Sequence, residues 1–201
     1  MAGSTIGPPP GWSEAVLDRR ILDSVGAPRY QGIYFRPKIN ARSRMARFEP
    51  LRLSELPDGV WRSRIIVRFG SCDPAGIVYT PEYLNLFNGV VEDWYGEALG
   101  ISYHELVGKR RTGLGYAHVS ADFATPSSMG DVLDVAVIVR SIGRASLTFT
   151  VHAFKGGIEC VRTTFVTVTT SLVDHKAIAL PNDVRSALNA YQSRCENAAV
   201  T

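Results

Sequence analysis

Four segments in succession, 114–123, 132–140, 145–154 and 159–170, read as β-strands, and Pro126, Gly130, Gly143 and Gly156-Gly157 break the chain between them. The alternation is clearest where Leu147, Phe149, Val151 and Ala153 are interleaved with Ser146, Thr148, Thr150 and His152. A period of two puts one set on each face of a sheet. Connections this short and glycine-rich join neighbouring strands antiparallel. A chain with such a block is committed to an antiparallel sheet, and it must find something apolar to cover one face.

The cover lies upstream. Leu84, Phe87, Val91, Trp94 and Ala98 recur at helical spacing and Gly100 ends the run, so the longest and most apolar helix of the chain is expected here, buried along one side. Thr80 is a suitable N-cap for it and Pro81 suits the first helical position. Before it, Ile65, Val67 and Phe69 alternate as in a strand, and a turn-rich loop runs from Gly70 to Gly76. A closing helix is expected near 183–195, with Val184, Leu188, Tyr191 and Cys195 on one face. Strand, long helix, then four strands gives an α+β architecture with the helix packed on the sheet.

Charge divides the chain differently. Residues 1–50 carry eight Lys/Arg and four Asp/Glu, whereas the remaining residues carry 14 and 15. A nearly neutral body argues against nucleic acid as partner. The basic segment contains Pro8-Pro9-Pro10 and one short helical candidate, Ser13 to Ser24, so residues 1–59 are expected to be an extension, poorly structured or loosely packed, before a folded domain at 60–201. No stretch is apolar enough to span a membrane. Cys72, Cys160 and Cys195 are odd in number, widely spaced and without a CxxC pair, which disfavours a disulfide framework or zinc site and points to a cytoplasmic setting.

The loop before the helix carries the chemistry. It reads Phe69-Gly70-Ser71-Cys72-Asp73-Pro74-Ala75-Gly76-Ile77-Val78-Tyr79, with Pro81 and Tyr83 after it. Attack on an activated carbonyl needs a nucleophile or base on one side and a hydrogen-bond donor for the developing oxyanion. A helix N-terminus supplies free N–H groups and a partial positive charge. Pro81 has no N–H, so the Thr80 amide and those behind it are the candidate donors. Taken by itself, Asp73 reads first as the side chain that closes a Pro-Gly turn, a common role for aspartate.

This loop resembles the signature of the 4-hydroxybenzoyl-CoA thioesterase family, with Ser71 standing where an acid is common. A second block, Val119-Ser120-Ala121-Asp122-Phe123 through Pro126 and Gly130-Asp131, is similar to the strand before that family's central hairpin. The resemblance covers about residues 62–195. It implies a hotdog fold, a five-stranded antiparallel sheet wrapped around a long central helix. It also implies hydrolysis of an aromatic or short acyl-CoA without metal or organic cofactor. Asp73 would attack the thioester or activate water while the Thr80 amide polarises the carbonyl. Tyr79, Asn88, His118 and Arg144 are the implied substrate-binding residues. Asn88 stands where relatives acting on hydroxylated benzoyl groups carry an aspartate, Arg144 would hold CoA phosphate, and a homodimer or homotetramer is expected. An acyl-carrier-protein thioesterase and a non-catalytic acyl-CoA-binding module remain as alternatives. Among the other candidates, Cys72 lacks a nearby base and reads as an inert thiol. Glu92 reads as a solvated or structural charge, and Lys109-Arg110-Arg111 as surface or a phosphate patch.

Overall fold

The computed structural model describes residues 48–197. Its strands β1 (Arg62–Ile66), β2 (Thr112–Phe123), β3 (Val132–Ile142), β4 (Ser146–Lys155) and β5 (Ile158–Ser171) form one antiparallel sheet in the order β1-β3-β4-β5-β2. The helices are α1 (Glu82–Glu97) and α2 (Asn182–Asn197). The sheet wraps around α1, as a hotdog fold requires. The four consecutive strands lie within a few residues of the expected segments. The expected strand around Ile65 to Phe69 ends early, because Phe69 enters a 3-10 turn, Phe69–Ser71, and is 82% exposed.

The apolar stripe of α1 is the reason the sheet curls. Phe87, Val91 and Trp94 are buried against it, with the Trp94 ring 5.7 Å from Phe149, which stacks on Phe165 at 5.2 Å. Burying each such side chain contributes roughly 1.5–3 kcal/mol. Tyr191 of α2 closes the same cluster edge-on to Trp94 and donates its hydroxyl to the Val137 carbonyl at 2.5 Å. Between β4 and β5 the turn glycines Gly156 and Gly157 have φ of +60° and +80°. Such φ values suit a two-residue I′ hairpin, which fixes the register of the two central strands.

Thr150 and His152 alternate with Phe149 and Val151, so they point away from α1. On that face lies a buried polar chain. The His152 imidazole donates from Nδ1 to Glu159 Oε1 at 2.6 Å and lies 2.9 Å from the Thr150 hydroxyl through Nε2. Arg162 donates to both Glu159 oxygens, and the Leu51 N–H donates to Oε2 at 2.9 Å. Burial pushes His152 below the usual imidazole range against the pull of Glu159. Burial works upward on Glu159, but the bonds from His152, Arg162 and Leu51 outweigh it and hold the carboxyl at about 2. The pair is therefore a neutral imidazole on a carboxylate, itself neutralised by Arg162. Residues 48–59 fall within the expected extension, and they are packed here. The Glu159 N–H donates to the Leu51 carbonyl, Arg162 lies 4.8 Å over the Phe48 ring, and Leu56 is buried. The rest of that extension, including the helical candidate at Ser13 to Ser24, lies outside the described residues.

Candidate active site

The loop around Asp73 is a miniature hairpin. Cys72 bridges Val78, the Asp73 N–H donates to the Ile77 carbonyl at 2.9 Å, and the Tyr79 N–H donates to the Ser71 carbonyl at 2.9 Å. Its tip is the turn Asp73-Pro74-Ala75-Gly76, closed by the Gly76 N–H on the Asp73 carbonyl at 2.9 Å, with Gly76 at φ +78°. A proline at the second position and a glycine that tolerates positive φ at the fourth are what such a turn needs. The Asp73 carboxylate accepts the Ala75 N–H on Oδ1 at 2.8 Å. The turn-closing role is thus present, and it engages one oxygen; Oδ2 has no partner among the described residues. Val78 N–H to the Ser127 carbonyl at 2.8 Å and Met129 N–H to the Gly76 carbonyl at 3.2 Å anchor the hairpin to the strand entry of β3.

Just past the hairpin's base the chain turns into α1, one residue later than the expected start. Bonds from Glu82, Tyr83 and Leu84 N–H to the carbonyls of Tyr79, Thr80 and Pro81 make a tight leading turn, so Pro81, not Thr80, is the residue before the regular helix. The Thr80 N–H has no acceptor among the described residues. Around it run two grooves. One, about 300 Å³, lies between Ile77, Val78 and Thr80 and the segment Phe123 to Pro126. The other, about 410 Å³, lies between Thr80, Pro81 and Leu84 on α1 and Val119, Ala121 and Phe123 on β2. Thr80, Tyr83 and Phe123 line both, and the rings of Tyr83 and Phe123 lie 5.5 Å apart, so the two are arms of one trough with Thr80 at the bend. Burial raises the Tyr83 hydroxyl above its usual range, and that oxygen accepts the Ser127 N–H at 3.3 Å.

The expected site residues are distributed unevenly around this trough. Asp73 lies across the hairpin from Ile77, which lines the smaller arm. Tyr79 is 55% exposed beside Thr80. Asn88 lies one helical turn beyond Leu84, is exposed, and accepts the Tyr116 hydroxyl on Oδ1 at 2.6 Å. His118 is placed elsewhere. It pairs with Val166, whereas Phe165 faces the core, so His118 projects from the face of the sheet opposite the trough. Arg144 is exposed in the turn between β3 and β4. Through the paired registers, Ala121 lies level with Val137, seven residues before Arg144 and so on the order of 20 Å away along the strands. The smaller arm, beside Phe123 to Pro126, is out of its reach within the same chain. Cys72 is half-buried, with its thiol 3.6 Å from the Arg68 carbonyl. Arg110 is paired with Asp183 at 2.7 Å. Among the residues that sequence reasoning did not single out are Leu84 and Phe123, which line the trough, and Tyr116, which bonds Asn88. Tyr116 in particular gives no signal in the alternation, because a bulge between Tyr116 and His118 changes the phase of β2.

Among the described residues no group of three His, Cys, Asp or Glu could hold a metal ion, and no helix is long and apolar enough to cross a membrane. The fold defines a hotdog-fold protein, with the trough at the head of its central helix as the candidate site. The chain belongs to the thioesterase-like superfamily, whose family model matches residues 67–188. No curated protein matches it. Among solved structures it is similar to a thioesterase superfamily member from Jannaschia sp. CCS1, with a TM-score of 0.62, 24% identity and coverage of 67% of this chain and 94% of that one. It is similar also to the gentisyl-coenzyme A thioesterase BH1999, with a TM-score of 0.59, 23% identity and coverage of 64% and 99%. A third is the 1,4-dihydroxy-2-naphthoyl-CoA thioesterase Slr0204 from Synechocystis, with a TM-score of 0.59, 20% identity and coverage of 65% and 96%.

Proposed function

We propose that this protein hydrolyses an acyl-CoA thioester with an aromatic or short acyl group, within the branch typified by 4-hydroxybenzoyl-CoA thioesterases. The observation that carries the reading is the Thr80 N–H, without an acceptor, at the bend of a two-armed trough and following directly on the Asp73 hairpin. An extended ligand laid in the trough puts its reacting carbonyl at the bend. The arm along Leu84, Val119 and Ala121 then takes the acyl group and the arm along Ile77 to Val78 and Ala124 to Pro126 takes the pantetheine. Two of the similar proteins act on hydroxyaromatic CoA esters, which favours an aromatic acyl group.

In the reaction a water oxygen bonds to the thioester carbon and gives its proton to the Asp73 carboxylate. The carbonyl oxygen takes the negative charge and accepts the Thr80 N–H, strengthened by the start of α1. Collapse breaks the carbon–sulfur bond, and the proton on Asp73 passes to the leaving sulfur. Direct attack by Asp73, followed by hydrolysis of the anhydride, uses the same two groups. Neither route requires a metal or organic cofactor. β2 is a 12-residue edge strand with one open backbone side. A second copy of the chain pairing there would protect it, and Arg144 could serve a phosphate only as such a copy's residue.

Asp73→Asn tests the assignment cleanly, because the amide oxygen can still accept the Ala75 N–H and keep the turn. Thiol release from a panel of benzoyl, phenylacetyl and straight-chain CoA esters should fall by roughly 10³ or more in this variant, at an unchanged melting temperature. Turnover at the wild-type rate would overturn the role of Asp73.

A further inference from the structure

A cavity of about 460 Å³, a size that suits a small organic ligand, lies on the β1 side of the sheet, whereas the trough lies at β2 on the other edge. β1 pairs with β3 only from Val132 to Ala136, so past that point β3 has an open backbone edge. Val135 faces Ser63 across this edge. Two residues on, the Val137 carbonyl accepts the Tyr191 hydroxyl, which itself accepts the Trp61 N–H at 3.1 Å. Backbone groups alternate between the two sides of a strand, so Val139 turns its N–H to the same edge, where no strand stands opposite. Val139 is buried and lines the cavity. A buried N–H of this kind needs an acceptor, and the cavity is where one can sit.

The next residue supplies a charge. A bulge between Val139 and Ser141 leaves Arg140 out of the β4 ladder, and such an extra residue re-aims its side chain. The guanidinium lines the cavity and donates through Nε to Thr150 Oγ1 at 3.2 Å, while Thr150 is held in turn by His152 at 2.9 Å. One edge of the planar group is thereby anchored. Its two terminal nitrogens have no acceptor, and no carboxylate pairs with it, among the described residues. Burial works against the charge on Arg140 and Arg162 adds to the penalty, with Glu159 offsetting only part of it. A guanidinium in this condition lacks a counter-anion, and its fork matches a carboxylate. The other walls decide what the anion is attached to. Pro57, Val60 and Ile138 are apolar, and Gln192 and Glu196 face them from α2, one helical turn apart. Glu196 repels further negative charge, so a single carboxylate on an uncharged body suits the cavity better than a phosphate or a dicarboxylate.

We propose that this cavity is a second ligand site that takes a small monocarboxylic acid. The carboxylate lies on the Val139 N–H and the terminal nitrogens of Arg140, and the apolar or aromatic body lies against Pro57, Val60 and Ile138. The site shares no residue with the trough, and its occupancy is independent of the hydrolytic reading.

The test is an NMR titration of the full chain, isotope-labelled at its valine, isoleucine and alanine methyl groups, with sodium benzoate as the probe. Val60 and Ile138 report on the cavity, and Val119 and Ala121 report on the trough. Benzoate at millimolar concentration should shift Val60 and Ile138 saturably, whereas neutral benzamide and cationic benzylamine should not. Arg140→Gln removes the fork and should weaken this binding about tenfold or more. Arg140→Lys keeps the charge without the fork and should fall between Arg140→Gln and wild type, a graded order that a damaged fold would not produce. Glu196→Gln removes the repelling charge and should tighten benzoate by about threefold. Asp73→Asn should bind benzoate in the cavity as wild type does, whether or not the trough is catalytic. Four results would each overturn the proposal. These are no shift at Val60 and Ile138, equal binding by Arg140→Gln and wild type, weaker binding by Glu196→Gln, and benzylamine binding more tightly than benzoate.

Discussion

Glu159→Gln should cost this fold about 3 kcal/mol at neutral pH while leaving the trough untouched. Glu159 is fully buried on the face of the sheet away from α1, and its two oxygens accept from His152 Nδ1, two nitrogens of Arg162 and the Leu51 N–H. Glutamine has the same shape but a single acceptor oxygen. With that oxygen toward His152 and the Arg162 Nε, the new NH₂ faces the Leu51 N–H and the Arg162 Nη2, donor against donor; the flipped amide faces His152 instead. Each unmade bond of this kind costs roughly 1–3 kcal/mol, and removing one partner of a buried ion pair costs about 3–5 kcal/mol. Arg162 is 24% exposed and recovers part of its hydration, so the lower end applies. For a domain of this size that corresponds to a fall of about 10 °C in melting temperature. The pH dependence has a defined sign. The folded carboxyl is depressed from 4.5 to about 2, so its contribution, on the order of 3 kcal/mol, is present above pH 4.5 and is lost as the pH falls toward 2. His152 is depressed as well, so protonation in the unfolded chain weakens the fold further once the pH drops below 6.5. Urea unfolding of wild type and variant across pH 3 to 8 should show the full gap from about pH 5 upward, closing at lower pH. A variant within 1 kcal/mol of wild type at pH 7, or a gap that stays constant down to pH 3, would refute this account of the cluster.

Two further outcomes follow from the same structure. Cys72→Ser should stay within a few-fold of wild-type hydrolysis, since the thiol bonds a backbone carbonyl and lines neither arm of the trough; an inactive Cys72→Ser enzyme would make the thiol the nucleophile. A chain beginning at Met45 retains Phe48, Leu51 and Leu56, and should hydrolyse and melt like the full chain, whereas one beginning at Val60 strips Glu159 of its Leu51 partner and should melt lower; equal melting of the two shortened chains would show that residues 48–59 add nothing.

Much of this molecule is local and therefore legible in its residues. The alternation of β4, the glycine turns and the stripe of α1 determine strand, hairpin and buried helix, because periods of two and 3.6 are properties of the backbone itself. The turn at Asp73 is likewise written in Asp-Pro-Ala-Gly. Other features depend on contacts between residues far apart in sequence. His152 and Glu159 look like two ordinary polar residues on a hairpin until Leu51, more than a hundred positions upstream, is laid against them. The start of α1 moved past Thr80 because the hairpin delivers the chain in a tight turn, a constraint no capping preference contains. His118 and Tyr116 show the difference most plainly. One residue of bulge, invisible in composition and set by how β2 meets β5, turns Tyr116 toward Asn88 and His118 away from the trough. Local residue pattern suffices to say which elements form and which carboxylate enters the loop. The tertiary structure alone decided which side chains meet, because strand phase is fixed by pairing with a neighbour and not by the strand's own residues.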